Sequence, residues 1–138
     1  MSTPSPWEYF SVEELSCKCG CGQMKMNADF MDKAVKIRKF YNVPLIINSA
    51  YRCPEYDAKV GSSSEPGAGP HTMGRALDIG INGSDLYAFL ACLFKLGLTT
   101  GIGLEQKPAT PPLDRFCHID DLKPGEFPKH FRPNIWTY

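Results

Sequence analysis

The chain has 138 residues, of which 43% are hydrophobic and 22% charged, a composition typical of one globular domain. Its 15 basic and 15 acidic side chains cancel, so its charge gives no reason to expect binding to nucleic acid or to an anionic membrane surface. We therefore expect a single domain over residues 1–138, with a loose arm at 1–8, that acts as a monomer.

The N-terminal sequence MSTPSPWEYF has neither the basic region nor the apolar core of a secretory signal. The longest apolar stretch, from Leu86 to Leu98, is too short and too interrupted to span a bilayer. We expect the protein to be made in the cytoplasm without a signal peptide, and not to insert into a membrane.

Three helical segments are predicted. Ser11 is expected to open a short helical turn, and Asn27 to cap a helix that ends near Tyr41 and buries one apolar face. Ser84 is expected to cap a third helix that ends before Gly97. Because this helix is apolar nearly all round, it is predicted to lie centrally in the fold.

Short apolar runs predict four strands, at residues 43–48, 75–81, 98–104 and 115–120. Two segments are predicted to be loops: residues 53–70, which are rich in Gly, Pro and Ser, and residues 106–113, which are rich in Pro. The C-terminal segment is predicted to be irregular and to pack back through Trp136 and Tyr138. The short connection between the last two strands favours an antiparallel pair, and hence an α+β fold.

Two of the three histidines lie in a pattern that suits a metal ion. His71 falls in a loop and Asp78 in the strand that follows it, within GPHTMGRALDIGI, while His118 falls in the strand RFCHID. Imidazole and carboxylate are both zinc ligands, and a catalytic zinc site uses three protein ligands and keeps one position open. The third histidine, His130, lies outside any motif and is predicted to be a surface or packing residue.

The alternation of side chains along a strand predicts which neighbours face this group. Asp78 shares its face with Ala76 and Gly80, opposite the branched apolar residues of the same strand. His118 shares its face with Asp120, which could hydrogen-bond the histidine or act as a base.

The spacing His-x2-Gly-x-Ala-x-Asp, followed by a strand bearing His118, resembles the zinc D-Ala-D-Ala carboxypeptidase family, which includes phage endolysins. The segment INSAYRC resembles the Ser-x-Tyr-Arg segment of that family, and GIGLEQ, RFCHIDDL and RPNIWTY resemble parts of its small single-domain members. The resemblance covers the chain from about Phe10 to Tyr138. It implies a hedgehog/DD-peptidase-like fold with a small antiparallel sheet flanked by helices.

The resemblance also implies roles for individual residues. The zinc ligands would be His71, Asp78 and His118. Arg52 would bind a substrate carboxylate or stabilise the developing oxyanion, and Tyr51 beside it would contribute to substrate binding. The alternative for Arg52 is a structural ion pair.

The sequence departs from the family at the general base. Well-known members carry an acid three residues before the last ligand, where this chain has Arg115. We expect Asp120 to serve instead, then Asp114 if a bulge brings it into the site, and Glu105 on the neighbouring strand is a third candidate. In the alternative, Asp120 only orients His118.

The cysteines form a separate group. Cys17, Cys19 and Cys21 occupy alternate positions, and Cys53 directly follows Arg52. Thiolates can hold a second zinc ion, although structural sites usually use Cys-x2–4-Cys pairs. A disulfide to Cys53 and free thiols are the other two interpretations. In either bonded form the loop would brace the segment that carries Arg52.

The resemblance implies a zinc-dependent peptidase that acts on peptidoglycan stem peptides, as a D-Ala-D-Ala carboxypeptidase or an L-alanyl-D-glutamate endopeptidase. The small size indicates a phage or prophage lytic enzyme, which would act on the cell wall or in the periplasm after release, or from a virion. The first alternative is a non-catalytic zinc-binding structural or virion module of the same fold, favoured by the missing acid at position 115. The second is a small zinc protein without a wall substrate.

Overall fold

A five-stranded sheet organises the chain, whose computed structural model describes residues 2–60 and 69–138. The strands are β1 (Ile46–Ser49), β2 (Ala76–Gly80), β3 (Gly101–Glu105), β4 (Phe116–Asp120) and β5 (Asn134–Thr137). They lie in the order β1-β2-β4-β3-β5. The first four pair antiparallel and β5 joins the edge parallel to β3, so the α+β prediction is confirmed.

Within residues 2–60 and 69–138, four helices accompany the sheet: α1 (Val12–Leu15), α2 (Ala28–Tyr41), α3 (Pro54–Val60) and α4 (Gly83–Leu96). The predicted caps of the first two are confirmed, because the Ser11 and Asn27 side chains each accept a backbone N–H of the first turn. A short 3-10 helix, Pro112–Asp114, precedes β4. Among the described helices, none is long and apolar enough to cross a membrane.

The two long helices supply much of the hydrophobic core. Phe30 of α2 and Phe89 of α4 belong to the same buried cluster as Ile79 and Ile119 of the central strands. Each fully buried side chain of this size contributes about 1.5–3 kcal/mol through removal of its apolar surface from water. Because strand side chains alternate, the polar residues of β2 and β4 emerge on the opposite face of the sheet.

The predicted loop 53–70 contains a helix that the sequence analysis missed. Helix α3 begins at Pro54, and Glu55 and Asp57 lie in its first turn. Proline at the start of a helix and acids in the first turn both favour this structure. The Gly-, Pro- and Ser-rich part of the segment, residues 61–68, lies outside the described residues and had dominated the prediction.

The C-terminal segment is irregular over residues 121–133, as predicted, but it ends in strand β5, which the prediction missed. Its first residue, Asn134, donates its backbone N–H to Thr100 O at 2.8 Å. Pro133 lies just before the strand, where it removes no ladder hydrogen bond. The prediction that the terminal aromatic residues pack back is confirmed, because Trp136 lies 5.3 Å from the His118 ring and Tyr138 5.1 Å from the Phe116 ring.

Helix α4 differs from the prediction in two respects. It begins after Asn82 rather than after Ser84, and it is not buried all round. Tyr87 and Phe94 are exposed, so only the stripe that includes Phe89 faces the core. An apolar composition alone does not establish that a helix is central, because large apolar side chains also occur singly on surfaces.

The N-terminal residues, predicted to be a loose arm, fold back on α1. The Thr3 backbone N–H donates to Glu13 Oε2 at 2.9 Å, and Ser5 Oγ donates to the Phe10 carbonyl at 2.5 Å.

Gly74 is held against the segment that leads into α2. Its φ is +65°, and a β-carbon at this position would overlap Lys25 O and lie 2.6 Å from Met26 Cα. We expect Gly74→Ala to lower the free energy of unfolding by more than about 3 kcal/mol, since it adds overlap to left-handed strain. Gly125→Ala, with φ +75° but open space around it, is the matched control and should lose only the strain, about 1–2 kcal/mol. Equal losses in urea denaturation would contradict the overlap.

Candidate metal centre

The strand register places the polar residues in one row across the sheet. Asp78 pairs with Ser49 on one side and with His118 on the other. His118 in turn pairs with Gly103, and Gly103 with Trp136 on the edge strand. Directly paired residues project from the same face, so this row forms one continuous surface.

Gly103 makes room for the aromatic end of this row. A β-carbon there would lie 2.6 Å from Trp136 Nε1, so only glycine allows the indole to lie across β3 and reach the His118 ring. A one-residue bulge between Ile47 and Ser49 sets the opposite end, because it brings Ser49 level with Asp78.

His71 reaches this surface from the loop before β2. Its Nδ1 lies 2.7 Å from Ala50 O, which follows β1, and its carbonyl accepts the Arg52 backbone N–H at 3.3 Å. The Gly74 N–H also donates to the His71 carbonyl, at 3.2 Å. These contacts hold the histidine against the segment that carries Arg52.

The three residues predicted as metal ligands lie together. Asp78 Oδ1 is 3.2 Å from His71 Nε2 and 3.0 Å from His118 Nδ1, and one ligand atom from each residue lies within 4.8 Å of the other two. All three residues are buried, with exposed fractions of 5%, 7% and 4% in chain order. The three residues are separated in the sequence, but their ligand atoms form one compact group.

The hydrogen bonds on the outer side of this group show that it fits a metal ion. The Ala50 carbonyl can only accept, so His71 Nδ1 carries the proton, and the Asp120 carboxylate, 2.7 Å from His118 Nε2, requires a proton there too. In the neutral rings, the other two nitrogens, His71 Nε2 and His118 Nδ1, then carry lone pairs that point toward Asp78 Oδ1. Three convergent lone pairs need a cation between them, and imidazole and carboxylate are suitable ligands for a transition metal.

The ionisation of the group agrees with this arrangement. Burial by itself would raise the pKa of Asp78, but His71 and His118 outweigh it and hold that pKa well below its usual range. Burial lowers the pKa of His118, but the hydrogen bonds to Asp120 and Asp78 and their charges outweigh it and raise that pKa overall. The same contacts that keep Asp78 ionised therefore favour a positive charge at the centre of the group.

Asp120 lies behind His118 and is fully buried. Besides the bond to His118, its oxygens accept two hydrogen bonds from Arg132, both within 2.8 Å, and the Leu122 backbone N–H at 3.3 Å. Burial would raise the pKa of Asp120, but His118 and Arg132 lower it well below its usual range. With both oxygens committed, Asp120 matches the role of orienting His118, the second of the two roles that the sequence suggested.

Arg52 lies at the open side of the group. Its Nη2 donates to Asp78 Oδ2 at 3.1 Å, its Nη1 to Asp57 Oδ1 at 3.2 Å and its Nε to Ser49 Oγ at 3.1 Å. The Arg52 side chain is 15% exposed, so it borders both the metal-ligand group and solvent. These contacts include the ion pairs of the structural alternative, and they hold the guanidinium group in one orientation.

The remaining predicted residues lie outside the ligand group. Asp114 is exposed at the end of the 3-10 helix before β4. Glu105 pairs with Phe116 on the same face as His118, two pairs further along the strands, and accepts a hydrogen bond from the Thr110 hydroxyl at 3.1 Å. Tyr51 is only 3% exposed, which leaves little of its side chain for a substrate to contact.

The four cysteines singled out in the sequence also lie together. One Sγ from each of Cys17, Cys19, Cys21 and Cys53 lies within 4.8 Å of the others, and Tyr51 packs against this group. The cysteines are free thiols, so the disulfide interpretation is not the one that the structure shows.

Sequence reasoning missed two contributors to the site. Arg132 precedes Pro133 in a segment with no pattern of its own, and nothing local links it to Asp120. Asp57, buried beside Arg52, lies in the helix that was predicted to be a loop. The acids and the proline at the start of α3 were the signal that could have revealed it.

A family model described as peptidase M15 matches residues 8–120. The chain belongs to the peptidase M15 family. This confirms the resemblance to the zinc D-Ala-D-Ala carboxypeptidase family that the motif spacing indicated. No curated protein and no solved structure shows significant similarity to the chain.

Members of the M15 family are metal-dependent peptidases, and the matched region contains the whole His-Asp-His group. The three side chains whose lone pairs converge therefore lie within the part of the chain that matches a metal-dependent family. The match ends at Asp120, so Arg132 and Trp136 lie beyond it, although both contact residues of the site.

Proposed function

We propose that this M15 peptidase binds zinc through His71, Asp78 and His118 and hydrolyses amide bonds of peptidoglycan stem peptides. The convergence of three lone pairs, each fixed by a hydrogen bond or by ionisation, is the observation that carries the proposal. Zinc bound there would act as a Lewis acid on the scissile carbonyl and would make water a stronger nucleophile at neutral pH.

The chain's own residues position the substrate. The Arg52 fork lies beside the ligand group and remains partly exposed, so it can receive a peptide carboxylate or the oxyanion that develops on the cleaved carbonyl. Stem peptides of peptidoglycan carry free carboxylates near the bonds that such enzymes cleave, which matches this charge. Trp136 forms the opposite wall of the surface, beside His118.

We assign proton transfer to Glu105, because Asp120 is committed to Arg132 and His118, and Asp114 lies outside the sheet. Glu105 shares the face of His118 and is partly exposed. Glu105→Gln should lower kcat by about 10²–10⁴-fold with zinc content unchanged, since general acid–base catalysis supplies that much. Asp114→Asn is the matched control, and a larger loss in that variant would transfer the role to Asp114.

The function is tested on purified peptidoglycan and on a defined muropeptide. Zinc-loaded protein should release fragments whose masses identify the cleaved bond, either the terminal D-Ala-D-Ala or L-Ala-D-Glu, and His118→Ala should release none. Bound zinc with no released fragment would contradict the proposal. A lytic role, in a phage or prophage, belongs to the same proposal and requires that the protein lyse sensitised cells when it is added from outside.

The second candidate is a zinc-binding module without catalysis. One observation favours it: Arg115 occupies the position of the family's usual acid, and its Nε donates to the Thr110 carbonyl at 3.0 Å, as a brace for the loop. This candidate would be established by zinc binding together with intact muropeptide after prolonged incubation.

Arg52→Lys tests the recognition of the substrate. Lysine keeps the charge but loses the fork that contacts Ser49, Asp57 and Asp78 together. We expect kcat/KM to fall roughly ten- to a hundredfold, as for the loss of one or two charged hydrogen bonds. The matched control is Arg38→Lys, whose guanidinium lies over the Tyr9 ring away from the site. Unchanged kcat/KM in Arg52→Lys would mean that Arg52 acts only in structural ion pairs and does not recognise the substrate.

A further inference from the structure

A second group of potential metal ligands lies outside the His-Asp-His site. The Sγ atoms of Cys17 and Cys19 are 3.4 Å apart, those of Cys19 and Cys53 are 3.7 Å apart, and all four thiols, including that of Cys21, lie within 4.8 Å of one another. Four sulfur atoms at ~2.3 Å from a tetrahedral zinc ion are separated by about 3.8 Å. A disulfide would instead require two sulfur atoms about 2.05 Å apart.

We propose that Cys17, Cys19, Cys21 and Cys53 form a structural zinc site, separate from the catalytic metal. Four thiolates complete the coordination of zinc and leave no open position, as is typical of structural sites. The spacing Cys-x-Cys-x-Cys differs from the usual Cys-x2–4-Cys pairs, but Cys53, contributed from the segment after β1, completes the set.

The backbone around the cysteines supports a thiolate site. The Cys53 N–H donates to Cys17 Sγ at 3.3 Å, and such a donor stabilises the negative charge of a coordinating sulfur. Gly20 has a φ of +91°, which lets the chain turn sharply between Cys19 and Cys21. Two of the thiols, those of Cys17 and Cys53, are buried, whereas those of Cys19 and Cys21 are exposed. The exposed pair leaves a path by which the ion enters from solvent.

The position of this site gives it a specific task. It would tie the loop after α1 to the residues between β1 and α3, where the Ala50 carbonyl holds His71 and Arg52 contacts Asp78. Tyr51, which is buried, packs against Cys17 and Cys53. The structural ion would therefore fix the segment that orients the catalytic site. This consequence rests on the proposed function, whereas the binding of the ion does not.

Metal analysis of the purified full chain tests the proposal. The unaltered protein should contain two zinc ions per chain, Cys19→Ser and Cys21→Ser one, and His118→Ala also one. These two cysteines are exposed, which limits the effect of the substitution on folding, and circular dichroism of each variant monitors it. Cys92→Ser, in α4 and outside the group, is the matched control and should keep both ions.

Cobalt substitution identifies the ligands directly. The thiolate-to-cobalt charge-transfer absorption should persist in His118→Ala and disappear in Cys19→Ser. If that absorption is absent from the unaltered protein, or if the mass of the native protein shows a disulfide among the four cysteines, the proposal is overturned. Two bound zinc ions without peptidoglycan hydrolysis would remove the proposed function and leave the structural site intact.

Discussion

Replacing His118 with alanine is expected to lower kcat/KM on a muropeptide by at least about a thousandfold, since the metal supplies several kcal/mol of transition-state stabilisation. The loss follows from the geometry, because the described group has three ligand atoms, His71 Nε2, Asp78 Oδ1 and His118 Nδ1, and the substitution removes one of them. Equilibrium dialysis measures the loss of bound zinc, and steady-state kinetics on the same preparation measure the fall in kcat/KM.

His130→Ala is the matched control for this substitution. The His130 ring meets the Phe127 ring edge to face at 6.3 Å and is not part of the ligand group, so its loss should leave zinc content and kcat/KM unchanged. If His118→Ala kept full activity, His118 would not be a ligand. If both variants lost activity together, the effect would come from the C-terminal fold rather than from the metal.

Asp120→Asn is expected to have the second large effect, on stability and on metal affinity together. It removes the negative charge that neutralises Arg132, and an uncompensated buried charge costs about 3–5 kcal/mol of unfolding free energy. It also replaces one of the two acceptor oxygens with an NH2 group, so the side chain cannot accept from both His118 and Arg132 as the carboxylate does, and disturbance of such a partner lowers metal affinity about 10–100-fold. Urea denaturation and zinc titration measure the two effects separately.

Asp121→Asn separates positioning from general destabilisation. Asp121 is also buried and paired, with Arg75 at 2.8 Å and Lys33 at 2.8 Å, but it does not touch a metal ligand. We expect this variant to lose stability and to retain the zinc affinity of the unaltered chain. An equal loss of affinity in both variants would mean that Asp120 acts only through the fold.

The stability contributed by Asp120 should depend on pH in a defined direction. Its pKa is lowered in the folded state, so the stabilisation is fully present above the unfolded pKa of about 3.9 and is lost as the pH falls through the folded value. In metal-free protein, the difference in unfolding free energy between the unaltered chain and Asp120→Asn should therefore shrink below about pH 4. A difference independent of pH would show that the carboxylate charge is not the cause.

The prediction of the fold succeeded where the pattern is local. Capping residues Ser11 and Asn27 act on the first turn of their own helices, and the alternation in ALDIG and FCHID determines which side chains share a face. It failed at α3 and β5, where composition and prolines outweighed weaker signals. The α3 error also hid Asp57, the partner of Arg52.

Local sequence patterns were sufficient to identify His71, Asp78 and His118 as candidate ligands, because each lies within a short motif whose spacing and period carry the information. The partners of these ligands follow from contacts between segments far apart in the chain. Arg132 meets Asp120 because β5 joins β3, and Cys53 meets Cys17 because β1 ends beside the loop after α1. No local periodicity encodes such pairings, since they arise only when the strands pair into the sheet and distant segments pack together.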